Sequence, residues 1–500
     1  MTALTPLDLS VLLIYLLGVT AWGAWLGRNH RGGTGYFLGN RDLPWWAVCL
    51  SVVATETSTL TFLSIPGVAY FGTLGFLQLT LGYLLGRIVV ALVLLPAYYR
   101  GEIATAYTLL ESRFGTGTRR FTSGIFMVTR LLADSVRLFA TAIPLALITG
   151  WPYSVSIAVI GILTLVYTYF GGIRAVVWVD ALQMGLYLLG ALFAFWVLQT
   201  VIPGGWGVAL EGAAAAGKLQ VLDFSLDPSV PYTFWAGLVG GGFLAMASHG
   251  TDQLIVQRLL TCRDLRASQK ALIGSGFVVV VQFALFLFVG IGLWAFYEGQ
   301  AFDIPDAIFA TFIIQELPSG IRGLLIAGVF AAAMSSLSSS INSLASASAY
   351  DFWAPLTNSV DDEFRTLRAG RVLTLIWALL LIGVAILYIP LSADSTAVEV
   401  ALTIASLVYG GLLGAFALGL WRNPVSQGAV IGGMTTGIGV VTSIWIFIPG
   451  RVGWPWFVLI GTFVTLLVGL ALGRWGRRRG RGRDEGAHSR KASMGQEKGS

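Results

Sequence analysis

The sequence predicts an all-α protein that crosses a membrane many times, on three observations. Of 500 residues 56% are hydrophobic and only 11% charged, where a soluble domain carries about a quarter charged residues, and the mean hydropathy is +0.78. Apolar runs longer than about 18 residues, enough to span a bilayer as a helix, recur from end to end. Lys and Arg concentrate in alternate loops, the asymmetry that orients membrane helices. The formal net charge of +6 therefore reads as membrane orientation and not nucleic-acid binding, since no basic face with interleaved aromatics accompanies it. Two cysteines, Cys49 in a span and Cys262 in a basic loop, make no disulfide framework.

The apolar runs predict about 13 transmembrane helices, near 7–27, 44–70, 74–99, 122–149, 153–170, 175–202, 231–250, 269–297, 320–350, 369–390, 397–421, 426–448 and 454–474. The first has no basic residue before it and is too long for a signal-peptide core, so it is read as a true span. One side of the membrane receives Arg28, Arg31, Arg41, Arg100, Arg113, Arg119, Arg120, Arg174, Arg258, Arg263, Arg266, Lys270, Arg365, Arg368, Arg371 and Arg422. The other shows Lys218, Arg322 and Arg451 with Asp223, Asp227, Asp303 and Asp306. This places the N-terminus outside and the C-terminus in the cytoplasm of a plasma (inner) membrane protein, as an odd number of spans requires. Residues 203–230, with Pro203-Gly-Gly and Asp227-Pro, read as an external loop, and 298–319 as another with a short helix. The basic, Gly-rich tail 475–500 reads as disordered against anionic headgroups.

Polar residues at membrane depth mark where function resides, because lipid cannot hydrogen-bond them. In the second span Thr55-Glu-Thr-Ser-Thr59 interrupts an apolar helix, and Pro66-Gly67 follows. A discontinuous helix is the economical reading, with carbonyls of Ala54 and Thr57 freed and Glu56 lining a cavity; a kinked helix with a protonated Glu56 is the alternative. The fourth span carries Arg130, Asp134 and Arg137. Arg130–Asp134 is a self-neutralising i, i+4 pair, and Arg137, with less claim on Asp134, suits a substrate carboxylate. Asp180 has no basic residue near it on its own helix and suggests a cation or a proton. Gly240-Gly-Gly242 suggests a second helix break. His249 and Asp252 lack a third metal ligand nearby, so hydrogen-bonded packing beside Gln257-Arg258 is preferred there.

The ninth span holds Ala331-Ala-Ala-Met-Ser-Ser-Leu-Ser-Ser-Ser-Ile-Asn342. At about 100° per residue Ala332, Ser335 and Ser336 share one arc, and Ser335, Ser338, Ser339 and Asn342 the next. Converging neutral oxygens suit a small hard cation; close helix packing through small residues is the alternative.

Five stretches, ordered and spaced as in one known family, carry a resemblance over about residues 30–420. They are Tyr36-Phe-Leu-Gly-Asn-Arg-Asp-Leu-Pro-Trp-Trp46, the polar interruption at 54–59, Gly171-Gly-Ile-Arg-Ala-Val-Val-Trp-Val-Asp180, Gly250-Thr-Asp-Gln-Leu-Ile-Val-Gln-Arg258, and Ala331 to Ser343. The chain resembles the sodium:solute symporters, the sodium-coupled sugar, sialic acid, iodide, vitamin and monocarboxylate transporters. The resemblance implies a LeuT-like core of two inverted five-helix repeats, 44–202 and 231–421, with 1–43 and 422–474 peripheral. It implies a sodium site of the Ala54, Thr57 and Ala332 carbonyls with the Ser335 and Ser336 hydroxyls. A second sodium site would use Asp180, Ser338 and Ser339, with Ser335 beside them. Candidate solute contacts are Glu56, Ser58, Thr61, Arg137 and Asn342. Glu56 and Thr61 depart from the sugar carriers, so sugar specificity is not supported, and Glu56 with Arg137 suggests a zwitterion.

The expected function is sodium-coupled import of a small polar solute by alternating access, with the sodium ion and the bilayer as partners. Neither a cofactor nor an obligate protein partner is evident. Proton-coupled or facilitated transport is the alternative. An enzyme would need a nucleophile–base or metal constellation, which His249 lacks, and a sensor would need a signalling domain that the tail is too short to supply.

Overall fold

A computed structural model describes residues 4–27, 32–100, 103–302, 307–359, 362–391, 397–420 and 425–496. Arg28, Arg31, Asp303, Asp306 and Arg422, used above for orientation, lie outside these. The principal helices are α1 (Pro6–Leu26), α2 (Trp45–Glu56), α3 (Thr59–Phe71), α4 (Phe76–Val89), α5 (Thr116–Thr149), α6 (Tyr153–Val201) and α7 (Gly241–Gly250). They continue with α8 (Gln253–Leu259), α9 (Leu265–Phe296), α10 (Ile321–Ala347), α11 (Glu363–Tyr388), α12 (Ala397–Leu420), α13 (Gln427–Phe447) and α14 (Pro455–Gln496).

Eight helices among the described residues are long and apolar enough to cross a membrane, and the bent pair α2–α3 makes a ninth. The expected 13 is not reached by that test, for identifiable reasons. Helix α7 is only ten residues long, and α6 is one element where the sequence suggests two spans. Its arms meet at Gly172, whose φ of 53° is open to glycine and where a Cβ would lie 2.9 Å from Cδ2 of Tyr36. The segment 203–230, expected to be a loop, contains a helix, Gly205–Ala215, and 298–319 contains Ala307–Gln315. Helix α14 continues to Gln496, through most of the tail read as disordered; its arginines are good helix formers.

Two interruptions organise the interior. Between α2 and α3 the axis turns by 62°, with Thr57 and Ser58 extended and Ser58 capping α3. Between α7 and α8 the chain breaks at Thr251-Asp252, where the Asp252 carboxylate caps α8 by accepting from Leu254 N at 2.9 Å. The glycine triplet is not the break. A wide turn, Ala236–Gly240, leads into a regular α7, and the glycines let α7 approach α4. A Cβ on Gly82 would sit 2.9 Å from Gly242 N, and one on Gly86 would sit 2.7 Å from the Ala245 Cβ. Small-residue contact of this kind binds helices where lipid offers no hydrophobic drive.

Helix α10 is buried along nearly its whole length, packed against α6, α1, α11 and α5. The outer helices face lipid with large apolar side chains such as Ile14, Leu387 and Leu467, each at least two-thirds exposed. Asp8 of α1 fixes the start of α10: it accepts from Gly320 N at 2.7 Å and Gly323 N at 3.0 Å, and it pairs with Arg322 at 3.3 Å. Asp8→Ala strands these donors and should cost about 3 kcal/mol, whereas Asp8→Asn keeps an acceptor and should cost less. Thermal unfolding of the detergent-purified variants measures both.

Candidate ion and solute sites

The α2–α3 interruption redirects the hydrogen bonds that would cap two carbonyls. In an unbroken helix Ser58 N would donate to Ala54 O and Thr61 N to Thr57 O. Here Ser58 N donates to Glu56 O at 3.0 Å and Thr61 N to Ser58 Oγ at 3.4 Å. The freed carbonyls are the two that the sequence marks. Thr57 is held in place by Gln282 of α9, whose Nε2 donates to Thr57 Oγ1 at 2.7 Å.

On α10, Ser335 Oγ donates to Asp180 Oδ1 at 2.7 Å, leaving its lone pairs for another partner. Ser336 Oγ is buried with no hydrogen-bond partner among the described residues and lines a small crevice with Ser58, Thr59 and Thr141. The crevice is lined by Asp134 and Arg137 as well; an orphaned hydroxyl beside a broken helix is one neutral oxygen of the kind a sodium ion takes. Ser338 and Ser339 bond back to Ser335 O at 3.0 and 2.6 Å.

Asp180 does have a basic partner, contrary to the expectation drawn from its own helix. Arg258 of α8 reaches it at 3.2 Å, both side chains wholly buried. The same guanidinium donates to Ser339, so two of the oxygens expected to hold a second sodium are engaged by an arginine.

A cavity of about 220 Å³ lies between the broken helices, lined by Glu56, Ser58, Thr61, Arg137, Ser248 and His249 among others. It extends to Phe76, Tyr232 and Trp454, next to the 203–230 segment, where Gly453 N donates to Pro228 O at 2.7 Å. Glu56 is neither isolated nor free: it forms an ion pair with Arg87, a wholly buried side chain of α4. His249 Nε2 lies 3.0 Å from Arg87 and 3.7 Å from Glu56, while Nδ1 lies 2.8 Å from Ser248 Oγ. These partners fit a neutral ring accepting at Nε2 and donating from Nδ1.

At the other end of the cavity Arg130 pairs chiefly with Asp252 and also bonds Tyr409. Asp134 lies 3.5 Å from Arg130 and 3.4 Å from Arg137, so Arg137 has more claim on it than the sequence suggested. Asn342 is not part of the cavity; its Oδ1 accepts from Gln257 at 2.7 Å, in the buried core. Sequence reading missed Arg87, although a lone arginine inside the apolar run Phe76–Leu94 is itself a signal.

A family model described as the sodium:solute symporter family matches residues 36–437. The sodium/iodide cotransporter of Homo sapiens is 30% identical over 460 residues, 88% of this chain and 69% of that protein. The sodium/sialic acid symporter NanT of Aliivibrio fischeri is 28% identical over 475 residues, 93% and 92% of the two. A solved structure of a Na+-coupled sialic acid symporter, substrate-bound and outward-open, matches with TM-score 0.84 at 26% identity, over 94% of this chain and 98% of that one. Mhp1, a nucleobase-cation symporter in a closed conformation, matches with TM-score 0.55 at 13% identity, over 89% and 95%, and shares the fold alone. The helices thus form a LeuT-like bundle, the relatives are transporters and not enzymes, and sodium is their coupling ion. On its own residues and on these likenesses, the chain belongs to the sodium:solute symporter family.

Proposed function

We propose that this symporter imports a small polar organic anion, with Arg137 holding a carboxylate of the solute. The observation that carries this is the uneven neutralisation of the cavity. Glu56 is matched by Arg87, and Arg130 by Asp252. Arg137, about a quarter exposed, has only a long contact to Asp134, an acid it shares with Arg130 and whose other oxygen accepts from Ser340 at 2.5 Å. A guanidinium so placed favours a carboxylate bound through two hydrogen bonds. Since Arg87 already neutralises Glu56, no amine on the solute is required, and the zwitterion reading loses its basis. Several relatives are named for anions, namely iodide, sialic acid and monocarboxylates, and others for multivitamin transport.

Sodium at the Ala54, Thr57 and Ala332 carbonyls and the Ser335 and Ser336 hydroxyls would join the broken α2–α3 pair to α10 and favour the state open toward the cavity mouth. Solute and sodium then raise each other's affinity equally, as linkage requires. Opening to the other side, into low sodium, releases both. The repeats are taken as 44–202 and 231–421, with the N-terminus outside and the C-terminus cytoplasmic.

The test is uptake by proteoliposomes under an inward sodium gradient, screening small carboxylates, zwitterions and neutral sugars. Arg137→Gln should weaken a transported carboxylate by about 1.5–3 kcal/mol, roughly ten- to a hundredfold in KM, and leave stabilisation by sodium intact. Preference for a neutral sugar, or a proton gradient that replaces the sodium gradient, would refute the reading.

A further inference from the structure

Arg258 is anchored at every nitrogen of its guanidinium, to four helices. Nε donates to Ser51 Oγ of α2 at 2.9 Å and Nη1 to Leu254 O of its own helix at 2.6 Å. Nη2 donates to Asp180 Oδ2 of α6 at 3.2 Å and to Ser339 Oγ of α10. Ser51 Oγ also donates to Asp180 Oδ2, at 2.6 Å, and Arg258, Asp180, Ser51 and Ser339 are all wholly buried. A carboxylate and two hydroxyls converging in a dry place are hard oxygen donors of the kind that hold a small cation. In this structure the cation they hold belongs to the protein.

The tether matters because of where it is attached. Arg258 lies on α8, the half-helix that follows the Thr251-Asp252 break. That half-helix is stitched to the segment preceding α2: Gln257 Nε2 donates to Phe37 O at 2.9 Å, and Leu43 N donates to Thr261 O at 3.1 Å. Arg258 is the innermost of these ties and the only one that depends on a charge. Two cations on one buried carboxylate repel each other; Asp134, which both Arg130 and Arg137 approach, holds them only at 3.5 and 3.4 Å. A free cation binding at Asp180 therefore competes with the guanidinium, and a released guanidinium no longer ties α8 to α2 and α10.

We propose that Arg258 is a tethered competitor for a monovalent cation at Asp180. The guanidinium holds the carboxylate when no free cation does, and its release upon cation binding loosens the α8 side of the bundle. This rests on the sodium-coupled reading above and adds a positioning residue, since Arg258 acts through Asp180 and not on the solute.

Sodium titration of the melting temperature, at constant ionic strength with potassium as the balance, tests the proposal. The samples are purified wild type, Arg258→Gln, Asp180→Asn and the double variant. Removing the competing charge should tighten the sodium midpoint by about tenfold in Arg258→Gln, and adding Asp180→Asn should abolish that gain. Arg258→Lys, which keeps the charge but cannot reach Ser51, Asp180 and Ser339 together, should fall between wild type and Arg258→Gln, and it serves if the glutamine variant does not fold. A folded variant whose sodium midpoint is unchanged or weaker overturns the proposal while leaving sodium coupling intact. Absence of any sodium-specific response in wild type and variants alike overturns both.

Discussion

Glu56→Ala should be among the most damaging single substitutions in the transmembrane core, costing about 3–5 kcal/mol, the range for removing one partner of a buried ion pair. Arg87 is wholly buried, and its Nε and Nη1 already lack hydrogen-bond partners among the described residues. Without Glu56 its charge would rest on a single contact to His249. The reverse substitution, Arg87→Met, strands a carboxylate that is 19% exposed and open to the cavity. Water can solvate Glu56 there, so Arg87→Met should cost less than Glu56→Ala. Removing both charges together should recover much of the loss, because a neutral, well-packed pair replaces a desolvated one. A double-mutant cycle on thermal unfolding in detergent reads all three values. Equal losses for the two single variants would mean that the cavity is dry at Glu56 and that the solute meets no carboxylate there.

How far the sequence reveals this molecule depends on whether an interaction lies within one helix or between two. The α2–α3 interruption is legible because five consecutive polar residues cannot lie in lipid as an ordinary helix, and the serines of α10 are legible from their spacing. Arg87 and Arg258 show the limit. Arg87 is a charge inside an apolar run and Arg258 reads as a basic residue at the cytoplasmic end of a span, but the partner of each is on another helix, and nothing in linear spacing brings Arg258 to Asp180. Gly240-Gly-Gly242 misleads in the other direction: its conformational freedom suggests a break, whereas the glycines serve as a surface against which α4 packs. The actual break at Thr251-Asp252 has its own local signal, an aspartate that can cap the following helix.

Ser335→Ala/Ser336→Ala should abolish the sodium-specific part of the protein's stability while changing its stability in potassium far less. The two hydroxyls contribute differently. Ser336 Oγ has no partner among the described residues, so in the ion-free protein its removal relieves an unsatisfied polar atom and should cost little. Ser335 Oγ gives up a hydrogen bond to Asp180, but Asp180 keeps Ser51 and Arg258, so that loss should be near 1 kcal/mol. With sodium present the balance changes, because a ligand that binds only the folded state stabilises by RT ln(1+[L]/Kd), about 2.7 kcal/mol at a hundredfold excess over Kd. Wild type should therefore melt higher in sodium than in potassium at equal ionic strength, and the double variant should melt alike in both. The single variants separate the roles: Ser336→Ala should lose sodium affinity with little change in potassium, and Ser335→Ala should lose some of each. A double variant that retains the full sodium shift would move the ion away from the α2–α3 carbonyls and toward Asp180. Arg258→Gln would then become the decisive variant, since the Arg258 guanidinium holds the Asp180 carboxylate.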